Sequence, residues 1–156
     1  MNLSNREMNE GVGGQKVRIW YEPDTGFVCT VYAPGIVDAD TATYVVKATD
    51  AYVDPDGTTG AAFMLIDLRF TTGATAEARR AFAQGWEREG RFDGQYVIAV
   101  FGGSFIVRTL AKLLLRGQAL LYPKLLATVE ADETAARAWL TEKRRDYLAR
   151  KAMGEG

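Results

Sequence analysis

The residues with the clearest chemical potential are Gly102, Gly103 and Ser104, which separate an apolar run from a helical pattern, with Arg108 one turn further on. A helix that starts there points its first backbone N–H groups at the turn. Together with the guanidinium, these make a place for a phosphate or carboxylate. The structural alternative is an N-cap, in which the Ser104 hydroxyl accepts from an N–H of the first turn. The glycines lack the Gly-x-Gly-x-x-Gly spacing of dinucleotide folds and the Gly-Lys-Ser/Thr ending of a P-loop, so neither NAD nor ATP is implied. Asp67 and Asp93 are the carboxylates best placed for acid/base work, but their separation in sequence defines no geometry.

Other chemistry is excluded by what the chain lacks. It has no histidine, which removes the usual general base near neutral pH, the commonest neutral metal ligand and any Ser-His or Cys-His pair. Cys29 is the single cysteine; it cannot form an intrachain disulfide, which points to a reducing cytoplasm. In Phe27-Val28-Cys29-Thr30-Val31-Tyr32, a period of two puts Cys29 on one face with Phe27 and Val31, as a small buried hydrophobe. We therefore expect no catalytic residues, no metal site, no cofactor and no enzymatic activity.

The elements that must position these residues alternate. Residues 16–22 and 27–33 read as strands of a hairpin around Pro23-Asp24-Thr25-Gly26. Asp38 or Asp40 caps a helix to about residue 53, closed by Asp54-Pro55-Asp56-Gly57, and the continuous apolar run 62–66 reads as a central strand ending at Asp67. A loop through Thr71-Thr72-Gly73 leads to a helix over 75–89, then a strand over 96–101, a helix over 104–116, a strand over 125–129 and a helix capped by Asp132 to about residue 150. Such alternation predicts an α/β fold: a single mixed sheet of about five strands, with an N-terminal hairpin and later strands parallel, flanked by about four helices. Residues 1–14 are polar and Gly-rich and read as a disordered tail, leaving 15–152 as one domain.

With 19 basic and 20 acidic residues, the net charge of −1 gives no sign of a nucleic-acid partner, and the basic cluster Lys143-Arg144-Arg145 reads as a solvated helix face. The apolar stretch 105–129 is interrupted by Arg108, Lys112, Arg116, Gly117, Pro123 and Lys124, so no transmembrane segment is expected. The helix within it nevertheless has more apolar surface than one core contact needs. Phe105, Lys112, Arg116, Leu120, Leu121 and Tyr122 mark a mixed apolar and basic surface for a homodimer contact, a partner or a membrane edge, with a helix packed on the sheet and a solvated basic face as the structural alternative.

Three segments carry a family likeness: Pro34-Gly35-Ile36-Val37-Asp38-Ala39-Asp40 leading into a helix, Met64-Leu65-Ile66-Asp67-Leu68, and the closing part from Tyr96-Val97-Ile98-Ala99-Val100-Phe101-Gly102 to Ala138-Trp139-Leu140. The chain resembles the STAS-like family related to the sporulation anti-sigma-factor antagonist (SpoIIAA-like), a fold grouped with CRAL-TRIO-type lipid-binding domains. In its signalling members, the strand ending in Asp runs into an Asp-Ser-Ser-Gly type loop whose serine is phosphorylated. Here the loop reads Asp67-Leu68-Arg69-Phe70-Thr71-Thr72-Gly73, without that serine, and Thr71 or Thr72 stands in its place as a phosphate acceptor; an ordinary polar connection is the structural alternative. The resemblance implies a regulatory module that binds a protein partner through Asp67, Arg69, Thr71, Thr72 and Gly73. The alternative it implies is a domain for a lipid or small hydrophobic ligand, working at a membrane surface.

Overall fold

Alternating side chains on two long apolar strands organise this molecule. The structure, a computed structural model, describes residues 16–52, 60–87 and 92–154. The expected tail at 1–14, the turn at 54–57 and the expected ends of the first two helices at 53 and 88–89 lie outside the described residues.

Strands β1 (Val17–Glu22) and β2 (Phe27–Tyr32) form the antiparallel hairpin, turning at Gly26 with φ +75° and a hydrogen bond from its N–H to the Glu22 carbonyl. After β2 come a short β3 (Gly35–Val37), α1 (Ala39–Ala48), β4 (Ala61–Asp67), β5 (Thr71–Ala74), α2 (Ala76–Gln84), β6 (Gln95–Phe101), α3 (Phe105–Leu121), β7 (Leu125–Glu130) and α4 (Glu133–Ala152). The main sheet runs β1-β2-β4-β6-β7, and β2, β4, β6 and β7 are mutually parallel. The sequence-based fold class is therefore found: an α/β fold with a mixed five-stranded sheet and four helices.

Strand order also decides where the helices go. Each crossover from β2 to β4, β4 to β6 and β6 to β7 moves in the same direction across the sheet, and right-handed connections then place α1, α2 and α3 on one face. The other face is left to α4. Accordingly Ala62, Met64, Tyr96, Ile98 and Val100 pack in a cluster with Val45, Ala78 and Val107 of the first three helices. Their alternates Phe63, Leu65, Val97, Ala99 and Phe101 pack with Ala136 and Leu140 of α4. Both faces being covered is why β4 and β6 read as unbroken apolar runs.

Two expectations are corrected. The segments at Gly35 and at Thr71-Thr72-Gly73, read as loops, form a separate two-stranded parallel sheet, with Gly35 opposite Thr71, Ile36 opposite Gly73 and Val37 opposite Ala74. Strands of three and four residues containing glycine are too short to show a period. Secondly, α3 does not stop near Arg116 but continues to Leu121, through an exposed Gly117 where a Cβ would meet open space. One interior glycine costs a helix only about 1 kcal/mol, which the packed inner face offsets.

Candidate functional site

The glycine turn after β6 serves the fold. Gly102 and Gly103 have φ of +82° and +78°, and a Cβ on Gly102 would meet Arg69 Cγ at 2.6 Å. Ser104 Oγ accepts from the Val107 N–H at 3.2 Å, and Arg108 Nη1 donates to the Gly103 carbonyl at 2.7 Å. The four residues come together as expected, but they cap the helix with their own atoms, which is the structural alternative.

The close approach of Arg69 to Gly102 has its own cause. Arg69 folds onto the buried Asp67 carboxylate, with Nε at 3.1 and 3.0 Å from its two oxygens and Nη2 at 2.7 Å, while the Arg69 N–H adds a bond of 2.9 Å. Asp67 thus fixes the chain leaving β4. Asp93 lies before β6 at the amino end of the sheet and Asp67 at the carboxyl end of β4, so the two carboxylates do not form a pair.

The two threonines of the expected switch part ways. Thr72 is exposed, but Thr71 is 7% exposed with its hydroxyl turned inward. Thr71 in this fold cannot be reached as a phosphate acceptor. Tyr122 also differs from expectation: rather than joining the apolar surface, it is buried, stacks on Trp86 at 4.8 Å between centroids, meets Tyr96 edge-on and donates its hydroxyl to the Gly94 carbonyl. Its N–H closes the last turn of α3 onto Gln118, and Pro123 then turns the chain toward β7, which directs the ring inward. Phe105, Lys112, Arg116, Leu120 and Leu121 are exposed as expected. Cys29 is buried, and burial, with the Glu22 carboxylate beside it, pushes its thiol far above the ordinary range, away from reactive thiolate character.

The feature that sequence reasoning missed is a cavity of about 180 Å³ between the sheet and helices α1, α2 and α3. It exceeds the roughly 150 Å³ of an engineered apolar cavity that takes up benzene. Tyr96, Ile98 and Val100 all line it, so it runs about 13 Å along β6. Its walls are mainly aliphatic, but three buried polar atoms on lining residues have no hydrogen-bond partner among the described residues: Thr30 Oγ1, Thr71 Oγ1 and Trp86 Nε1. The fourth such atom, Thr41 Oγ1, belongs to a residue outside the lining.

Register separates the three groups. Thr30 pairs with Ile66 and Ile66 with Val100, toward the carboxyl ends of the strands, and Thr71 follows β4 at that same end. Trp86 meets Tyr96 edge-on at 4.9 Å, at the start of β6. The cavity therefore has a hydroxyl end and an indole end. The charged lining residues have other engagements. Asp50 accepts from the Phe92 N–H and the Tyr96 hydroxyl, and Arg79 is exposed and donates to the Ala74 carbonyl. The one signal available in the sequence was Thr30, a polar residue on a strand face otherwise formed by Val28 and Tyr32.

No group of residues able to hold a metal occurs among the described residues, and no helix among them is long and apolar enough to cross a membrane. The strand order, the parallel register and this cavity define an α/β domain with a three-helix face and a one-helix face. No family model matches the chain, and no curated protein does. Among solved structures it is similar to an uncharacterised protein of the DUF3478 family with a SpoIIAA-like fold from Shewanella loihica. The two share 17% identity with a TM-score of 0.49, over 90% of this chain and 98% of that one.

Proposed function

We propose that this domain works by binding rather than catalysis, and that it takes up an elongated, uncharged, largely apolar molecule in the cavity between the sheet and α1–α3. The observation that carries this reading is the set of unpartnered polar atoms, Thr30 Oγ1, Thr71 Oγ1 and Trp86 Nε1, on residues that line mainly aliphatic walls. Leaving a buried polar group without a partner costs about 1–3 kcal/mol, and a purely structural core would place valine or phenylalanine at such positions. A ligand oxygen at the indole end, accepting from Trp86, and a carbonyl or hydroxyl at the threonine end would supply the missing partners. Small-molecule sites commonly combine apolar walls with a few placed polar groups in this way.

The test is Thr30→Val, a change of nearly equal shape. Under this reading it raises the denaturation midpoint of ligand-free protein, because the unpaired hydroxyl is gone, and lowers the fraction of protein carrying a small-molecule adduct in native mass spectrometry. Wild-type protein free of any adduct, and remaining so after incubation with a lipid extract, would refute the reading.

A regulatory protein partner is a second reading with an observation of its own. Ile36 and Phe70 are 65% and 48% exposed beside Thr72, at the carboxyl end of the sheet. With Asp67 paired to Arg69 and Thr71 buried, this reading now centres on Thr72 and these two apolar side chains. Thr72→Glu should then weaken capture of a partner from native extract while leaving the melting temperature unchanged.

A further inference from the structure

Helix α3 contains Arg108, Lys112 and Arg116 and no acidic residue. Its inner side packs toward the sheet through Val107, Ala111, Leu114, Leu115 and Gln118, several of which also line the cavity. A helix laid on a sheet needs one apolar stripe, and this one has two. At the helical repeat, Ile106, Leu113, Leu120 and Leu121 fall along a second stripe on the outer side, with Leu110 at its edge toward the cavity and Arg116 and Lys112 along its other edge. Ile106 is 69% exposed, Leu113 58% and Leu120 86%, and Phe105 heads the same helix almost uncovered. The stripe follows a helix of 17 residues, about 25 Å long. Single exposed leucines are ordinary, but a continuous row of them marks a surface that something covers.

We propose that this outer face of α3 lies on an anionic lipid surface, with the leucine stripe in the boundary between acyl chains and headgroups and Lys112 and Arg116 at headgroup level. Charge selects the occupant. A second copy paired through the same face would bring two acid-free helices together, six cationic side chains with no carboxylate from either helix to meet them. An anionic bilayer offers both an apolar layer and negative charge along the whole length of the helix. Arg108 is turned back to the Gly103 carbonyl, so Lys112 and Arg116 are the residues on which the contact depends.

The proposal goes beyond the ligand reading and does not depend on it, since Ile106, Leu113, Leu120 and Leu121 do not line the cavity. Its test is co-sedimentation with vesicles of phosphatidylglycerol and phosphatidylcholine, against vesicles of phosphatidylcholine alone. We expect pelleting only with the anionic vesicles, weakening as salt rises. Lys112→Glu with Arg116→Glu should reduce the apparent affinity by at least about tenfold. Leu113→Asp with Leu120→Asp should abolish pelleting without changing the far-UV circular dichroism or the melting temperature, because both side chains are exposed. Absence of pelleting with either vesicle, or pelleting that survives both pairs of substitutions, would overturn the proposal. So would a dimer in analytical ultracentrifugation that Leu113→Asp dissociates, which would assign the face to a second copy, or a soluble acidic protein that displaces the vesicles through it.

Discussion

On the α4 face of the sheet, Phe63, Leu65, Val97, Ala99 and Phe101 meet Ala136 and a fully buried Leu140. There Arg137 forks onto both Glu22 oxygens at 2.9 Å each and reaches Glu133 at 2.7 Å. On the opposite face the neighbouring residues of the same strands, Met64, Ile98 and Val100, border a cavity, and three unpartnered buried side-chain atoms, Thr30 Oγ1, Thr71 Oγ1 and Trp86 Nε1, belong to residues that line it. Topology assigned the helices to the faces, and composition made the faces unlike. One is closed by hydrophobic contact and satisfied charge. The other leaves space and hydrogen-bonding capacity unspent.

The largest effect expected from this contrast is on packing. Leu140→Ala should cost about 2–5 kcal/mol of stability in chemical denaturation, because it opens a new void in a closed core. Leu114→Ala, on a side chain that already borders the cavity, should cost less than half as much. Equal losses would erase the distinction between the faces.

Next comes the ion pair. Arg137→Ala leaves Glu22 without its fork, and since the two side chains keep 31% and 25% exposure, the loss should be about 1–3 kcal/mol rather than that of a fully buried pair. The Arg137 hydrogen bonds hold the Glu22 carboxyl below its ordinary value of 4.5, against the effect of burial. A depressed folded pKa contributes stability that is fully present above the unfolded value and is lost as pH falls through the lower folded value. Denaturation midpoints of the wild type should therefore decline below about pH 4.5 more steeply than those of Arg137→Ala. Parallel acid limbs would show that the pair contributes little.

A smaller effect of opposite sign is expected across the sheet. Thr30→Val should stabilise ligand-free protein by roughly 1 kcal/mol, whereas Thr25→Val, beside Glu22, should destabilise, because its hydroxyl donates to a Glu22 oxygen at 2.9 Å. Smallest of all, Lys112→Glu with Arg116→Glu should move stability by no more than about 0.5 kcal/mol, as for other exposed substitutions. A larger shift would mean that the α3 stripe is part of the fold.

Much of the architecture was legible in the sequence because long, periodic segments carry it. The alternation in β1 and β2, the apolar runs of β4 and β6, and the caps at Asp38, Ser104 and Asp132 are all found, with each cap side chain accepting a backbone N–H in the first turn. The small β3–β5 sheet was hidden by its length. The candidate site was legible only in part. Spacing located the Gly102–Arg108 turn but could not tell a self-capped helix from an anion site, since that depends on where the Arg108 and Ser104 side chains turn. Cavity-lining Thr30, Thr71 and Trp86 come from three separate segments, and only the packing of the helices on the sheet brings them to one cavity. Tyr122 was misplaced because it follows Leu120 and Leu121 in one apolar run, and nothing in that run shows that the chain leaves α3 at this residue and turns the ring inward.

The central claim is that the three-helix face holds an apolar ligand through its unpartnered polar atoms. Native mass spectrometry tests it most directly, comparing the wild type with the Thr30→Val, Thr71→Val double variant after both are incubated with the same lipid extract. The account predicts a discrete small-molecule adduct on the wild type that is depleted on a folded variant at least as stable as the parent. No adduct on the wild type, or equal occupancy on both proteins, would contradict it.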